Sequence, residues 1–133
     1  DTIYGFAQGI LGDILDVSAI LSSTGTLFPS VALGSAPNAN ISYGVLRLIG
    51  SDLKSAPNLL EAFQKGGGAG SLSISSGASS IIISAASQAT GEDQYVYQLE
   101  ERNGGVDATH LAVLMGNYLD IDQWQIDNFN FIA

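Results

Sequence analysis

A chain of 133 residues, 46% hydrophobic and only 13% charged, fits one folded domain over residues 1–133 and not a disordered tail. Cysteine is absent, which excludes disulfides and thiolate metal sites. A formal net charge of −9, from four basic against thirteen acidic side chains, excludes nucleic acid and anionic membrane surfaces as partners, because phosphate recognition needs clustered cations.

The same charge would attract cations, or would simply keep the protein soluble. No apolar run approaches the roughly 20 residues of a membrane-spanning helix, so no membrane insertion is expected. The N-terminus lacks the positive start and apolar core of a cleavable signal peptide. It opens with Asp1, as a processed product or a piece of a longer protein would.

Residues 1–18 open with apolar Ile3 and Phe6, continue through Gly9 and Gly12, and end in the packet Gly12-Asp13-Ile14-Leu15-Asp16-Val17-Ser18. Two carboxylates therefore emerge from a segment that otherwise favours burial. Asp16 is placed to cap a short helical turn over residues 18–21 by accepting from an amide two or three residues on. On residue chemistry the stretch reads as strand, turn and capped helix.

Pro29 breaks the apolar stretch 27–33, and residues 34–40 form a polar loop rich in turn formers. Residues 41–49 read as a strand, with Tyr43, Val45 and Arg47 on one face and Leu46 and Leu48 on the other. Gly44 inside it suggests a bulge or a close backbone approach. The clearest helix runs over residues 57–65: Ser55 is its N-cap, Pro57 suits the first turn, and Lys65 followed by Gly66 marks its end. Leu59, Leu60 and Phe63 share one face, so the helix should pack on a sheet. The glycine-rich stretch 66–70 lacks the Lys-Ser/Thr of a phosphate loop and leaves a helix instead of entering one, so it reads as a flexible connector.

From Ser71 the pattern has period two. Residues 81–83 form a buried Ile run, and Tyr95, Tyr97 and Leu99 alternate with Val96 and Gln98. Asn103-Gly104 is the strongest hairpin signal and should pair residues 95–100 with 109–115. Asp120 to Ile126 reads as a capped turn, after which Phe129 and Phe131 alternate in a last strand. The expected fold is mainly β: a β-sandwich or flattened β-roll with one or two short helices.

Sites for chemistry are few. His110 is the single histidine, and no nucleophile-elbow motif accompanies it, so no catalytic residue is assigned and no enzyme is expected. Asn117, Asp120, Asp122 and Asp127 form the densest acidic group. Trp124 and the missing glycine rule out an EF-hand loop there, which leaves capping as the role of Asp120 or Asp122.

The order of residues 1–21, Asp-x-Ile-x-x-Phe-x-x-Gly followed by Gly-Asp-x-Leu-Asp-Val-Ser, resembles the segment that follows the last calcium-binding nonapeptide repeats in RTX proteins. These are bacterial proteins exported by type I secretion. A looser likeness extends to the C-terminus, where Asp127, Asn128, Phe129, Phe131 and Ile132 look like the acidic-then-hydrophobic export tails of that family. No Gly-Gly-x-Gly-x-Asp repeat is present in this chain. The resemblance implies a non-enzymatic, extracellular module in which residues 1–21 cap an upstream β-roll and residues 122–133 serve the type I secretion machinery. It also implies calcium as a cofactor, with Asp1, Asp13 and Asp16 as candidate metal ligands. The strand over residues 2–6 would pair with the final rung of the roll.

Two other readings compete. One is a self-associating subunit of a surface layer, extracellular matrix or filament, joined through edge strands. The other is a small carbohydrate-binding module with Tyr95, Tyr97 or Trp124 as stacking platforms.

Overall fold

The computed structural model describes residues 1–9, 12–21, 25–51, 53–64 and 66–131. The fold is mainly β with one short helix. Its strands are β1 (Thr2–Tyr4), β2 (Leu15–Asp16), β3 (Val31–Ala32), β4 (Ala39–Asn40), β5 (Val45–Ile49), β6 (Leu72–Ser73), β7 (Ser79–Ala85), β8 (Gln94–Arg102), β9 (Gly105–Met115) and β10 (Phe129–Asn130). The helix α1 (Ala56–Phe63) lies between β5 and β6.

A six-stranded mixed sheet forms the centre, in the order β1-β9-β8-β7-β5-β3. The pairs β3–β5, β5–β7 and β1–β9 are parallel, while β7–β8 and β8–β9 are antiparallel. Two small parallel sheets, β2–β10 and β4–β6, complete the architecture.

Both faces of the central sheet are covered. Every residue of β7 is buried, which explains its unbroken Ser-Ser-Ile-Ile-Ile-Ser-Ala run: a strand covered on two sides has no solvent face to mark with charge. Ile81 and Ile83 face the N- and C-terminal segments, in a core with Val17, Leu21, Trp124, Phe129 and Phe131. Ile82 faces the opposite way, into a core with Leu46, Leu48, Leu59, Leu72 and Tyr97. The serines that share this second face are satisfied by main chain. Ser80 Oγ donates to the carbonyls of Ile41 and Gly44, and Ser84 Oγ to that of Leu53. Tyr97 also donates to the Leu53 carbonyl, at 2.8 Å.

Local signals account for two elements. Ser55 caps α1 by accepting from the Asn58 amide, and Pro57 occupies its first turn, as the spacing predicts. Lys65 lies outside the described residues. Asn103 (φ 53°) and Gly104 (φ 82°) form the two-residue turn of the β8–β9 hairpin, whose strands extend beyond the expected limits. The register slips between Val96 and Tyr97, so β9 carries one extra residue there.

Three expectations need correction. The strand expected over residues 41–49 begins only at Val45, because Tyr43 takes a left-handed φ of 58° and the Gly44 amide turns back onto the Ile41 carbonyl. The capped helix expected after Asp16 is a turn over residues 18–21: the Ser18 amide donates to Asp16 Oδ1 as the spacing predicts, but the amides of Ile20 and Leu21 both donate to the Val17 carbonyl. The glycine-rich stretch 66–70 is packed and not a loose connector. The Ala69 amide donates to the Ala62 carbonyl, Ala69 is fully buried, and a Cβ on Gly67 would stand 2.4 Å from the Glu61 carbonyl oxygen. Gly67, Gly68 and Gly70 are needed for close approach.

Candidate functional site: the joined termini

Residues at the two ends of the described chain meet on one face of the central sheet. β2 and β10 pair in parallel, Leu15 with Phe129 and Asp16 with Asn130, and the Val17 amide donates to the Asn130 carbonyl at 3.0 Å. Beneath them an aromatic row runs Phe6–Trp124–Phe129–Phe131, with centroids 5.0, 5.1 and 5.9 Å apart. Trp124, Phe129 and Phe131 are buried. Truncating one such side chain to alanine costs roughly 3–5 kcal/mol, so this row is a principal source of cohesion between the ends. A Cβ on Gly25 would stand 2.3 Å from the Phe131 ring, so a side chain there would displace it.

Asn128 holds the opening segment by its main chain. Its Oδ1 accepts from the amides of Gly9 (2.9 Å) and Gln125 (3.0 Å), and its Nδ2 donates to the carbonyls of Gly9 (3.1 Å) and Asp13 (2.9 Å). A side-chain amide offers two acceptor sites and two donor hydrogens, and all four are used in a residue with no solvent exposure. The loop it grips is shaped for this. Gly9 adopts a φ of 94°, and a Cβ on Gly12 would stand 2.4 Å from the Ala7 carbonyl oxygen.

Two of the aspartates named from the sequence, Asp13 and Asp16, serve this same region. Asp13 Oδ2 accepts from the Ala7 amide at 2.8 Å, closing the loop from the other side. Asp16 Oδ1 accepts from the Ser18 hydroxyl (2.6 Å), the Ser18 amide (3.0 Å) and Asn130 Nδ2 (3.3 Å). These bonds, that of the Ser18 hydroxyl foremost, hold its carboxyl below the usual value of 3.8. Asp1 is exposed, and its carbonyl accepts from the Val113 amide where β1 joins β9. Among the described residues no three acidic or histidine side chains gather as a metal-holding group, so Asp1, Asp13 and Asp16 do not converge on one point.

Of the tail residues, Asn128, Phe129 and Phe131 are buried in the joint, Asp127 is exposed, and Ile132 lies outside the described residues. Asp120 caps a 3-10 turn at Ile121–Gln123, as expected, by accepting from the Asp122 amide. His110 packs beside the Tyr97 ring, with centroids 5.2 Å apart. Tyr97 and Trp124 are core residues, closed to a stacking ligand, and Tyr95 is half-buried.

Two contacts escaped the sequence reading. Gln8 Oε1 accepts from the Asp120 amide at 2.9 Å, and Gln94 Oε1 accepts from Trp124 Nε1 at 2.7 Å. A glutamine at a buried strand position opposite a lone tryptophan gives no periodic signal, since its partner lies 30 residues away. No helix among the described residues is long and apolar enough to cross a membrane. Compared with known protein families, curated proteins and solved structures, the chain matches none.

Proposed function

We propose that this chain is a non-enzymatic C-terminal module of an extracellular bacterial protein, one that supports type I secretion and caps a calcium-dependent β-roll. The observation that carries the reading is the joint itself. The Gly-Asp-x-Leu-Asp packet and the acidic-then-hydrophobic tail, the two stretches that resemble the RTX family, pair as β2 and β10 and are fastened by Asn128. One folded unit then serves both ends of the resemblance. β1 is the outermost strand of the central sheet, paired on one side with β9, so its other edge is where an upstream rung would add.

The strand path supports a flattened β-roll in the middle of the chain. Between residues 31 and 85 the chain passes from the central sheet to the small sheet and back: β3, β4, β5, then β6 after α1, then β7. Successive visits pair in parallel, as stacked rungs do.

Calcium enters this reading through the upstream repeats. They would supply most of the six to eight oxygens the ion requires, with Asp1, Asp13 and Asp16 at the boundary. Millimolar calcium outside the cell would favour the folded state by binding it selectively. Removing residues 128–133 and measuring export of the parent protein tests the reading; undiminished secretion would refute it.

The second reading, a self-associating structural subunit, rests on the same geometry, because β1 and β3 both end the central sheet. Sedimentation at several calcium concentrations separates the two, since a cap remains monomeric and a lattice subunit does not.

A further inference from the structure

Where β1 leaves the sheet, an open cleft of about 530 Å³ forms between the β1–β9 edge and the loop around Gly91. That volume falls within the roughly 300–1,000 Å³ of small-ligand sites. Tyr4, Tyr118, Asp93, Asn117 and Met115 line it. Tyr4 is 76% exposed and Tyr118 91%, the two most exposed large apolar side chains of the described residues, and both border this one cleft. Aromatic rings left in water give up the burial that dominates core energetics, and two of them beside one concavity form a patch in place of scattered singles.

The cleft walls are fixed by main chain. The Gly5 amide donates to the Met115 carbonyl at 2.9 Å, and the Gly91 amide to the Leu119 carbonyl at 2.7 Å. Gly5 and Gly91 have φ of 70° and 90°, conformations that glycine adopts without steric cost, so these turns shape the cleft without strain.

The lining selects the ligand. Flat tyrosine faces suit a ring with an apolar C–H face, while Asp93 and Asn117 suit a rim of hydroxyls. An anionic ligand would meet Asp93 on a chain of net charge −9. A cationic headgroup would want rings enclosing it, whereas these two stand open to solvent. We propose that this cleft binds a neutral oligosaccharide stacked on Tyr4 and Tyr118, with its hydroxyls on Asp93 and Asn117. The site differs from Tyr95, Tyr97 and Trp124, the aromatics that sequence alone singled out.

The test is calorimetric titration of the 133-residue chain with tetrasaccharides of glucose, mannose and N-acetylglucosamine, with tetragalacturonate and choline as charged controls. At least one neutral sugar should bind. Tyr118→Ala and Tyr4→Ala should each weaken it by roughly tenfold or more, the scale of one lost aromatic contact. Tyr118→Ala should leave the unfolding temperature unchanged, so loss of binding in that variant cannot be assigned to misfolding. Absence of binding by all three neutral sugars, undiminished binding in the Tyr118→Ala protein, or preference for either charged control would overturn the proposal.

Discussion

Asn128 and Gly9, 119 positions apart, exchange two hydrogen bonds, the glycine amide giving to Oδ1 and the glycine carbonyl receiving from Nδ2. This pairing copies the bond exchange of two strands, with a side chain standing in for one backbone. It fastens an opening loop without regular structure to the C-terminal segment.

Asn128→Ala removes all four bonds at once and leaves main-chain groups of Gly9, Asp13 and Gln125 without their partner. A buried group stripped of its partner costs about 1–3 kcal/mol. Some of the freed groups regain water, so a total of about 2–4 kcal/mol is expected. Thermal unfolding followed by circular dichroism should show a midpoint lower by roughly 10 °C or more. A shift under about 2 °C would mean that the joint contributes little to stability. Asn128→Asp should also destabilise, since a carboxylate cannot donate to the carbonyls of Gly9 and Asp13.

Acid should loosen two turns together. Glu101 Oε2 accepts from the Gly77 amide and Oε1 from the Gly104 amide, both at 2.8 Å. These bonds, Gly77's first, hold its carboxyl below the usual 4.5. Asp16 is lowered in the same sense, mainly by the Ser18 hydroxyl. A carboxyl with a depressed folded-state value stabilises fully above its unfolded value and loses that stabilisation as pH falls through the folded one. Stability measured by urea unfolding should therefore be insensitive to these groups near neutrality and decline once pH drops below 4.5. Glu101→Gln should flatten part of that decline. An acid limb unchanged in both Glu101→Gln and Asp16→Asn would contradict the assignment.

Alkali acts through Tyr97. Burial pushes its phenol up to about 12 from the usual 10.0. The neutral phenol is the form the fold accepts, so its contribution is intact below 10.0 and is lost as pH rises towards 12. Absorbance titration of the phenolates should show one late-ionising tyrosine, absent from the Tyr97→Phe protein. That variant should also lose about 1–2 kcal/mol, because the Leu53 carbonyl keeps only Ser84 as a side-chain partner. Simultaneous ionisation of all tyrosines in the folded protein would count against it.

The elements legible in the sequence are those whose cause is local. The Asn103-Gly104 turn and the Ser55–Pro57 cap each specify backbone within four residues, so propensity alone finds them. Pairings between distant two-residue strands are not legible: Leu15–Asp16 carries no period-two pattern, and its partner Phe129 lies at the far end of the chain. Glycine misleads for a related reason. Gly67 and Gly68 resemble a loose linker in composition, yet their lack of a Cβ answers to Glu61, Ala62 and Leu33, neighbours that only the fold supplies. In the joint, aspartates were visible as chemistry, while the amide of Asn128 that binds the ends looked like one polar residue in a tail.

The Trp124–Gln94 contact offers a sharper test of how this core tolerates polarity. Gln94 is fully buried; its Oε1 takes the indole N–H, while its Nε2 is buried with no hydrogen-bond partner among the described residues. Trp124→Phe should cost more than lost volume accounts for, because Gln94 Oε1 then joins Nε2 as an unsatisfied buried atom, a term of about 1–3 kcal/mol. Replacing both partners by apolar side chains removes that penalty. The double variant Gln94→Met with Trp124→Phe should therefore be at least as stable as Trp124→Phe alone in urea unfolding, with a favourable coupling of about 1 kcal/mol or more across the cycle. Simple additivity of the two substitutions would indicate that the hydrogen bond adds nothing beyond packing, and that the indole is retained for its fit between Phe6 and Phe129.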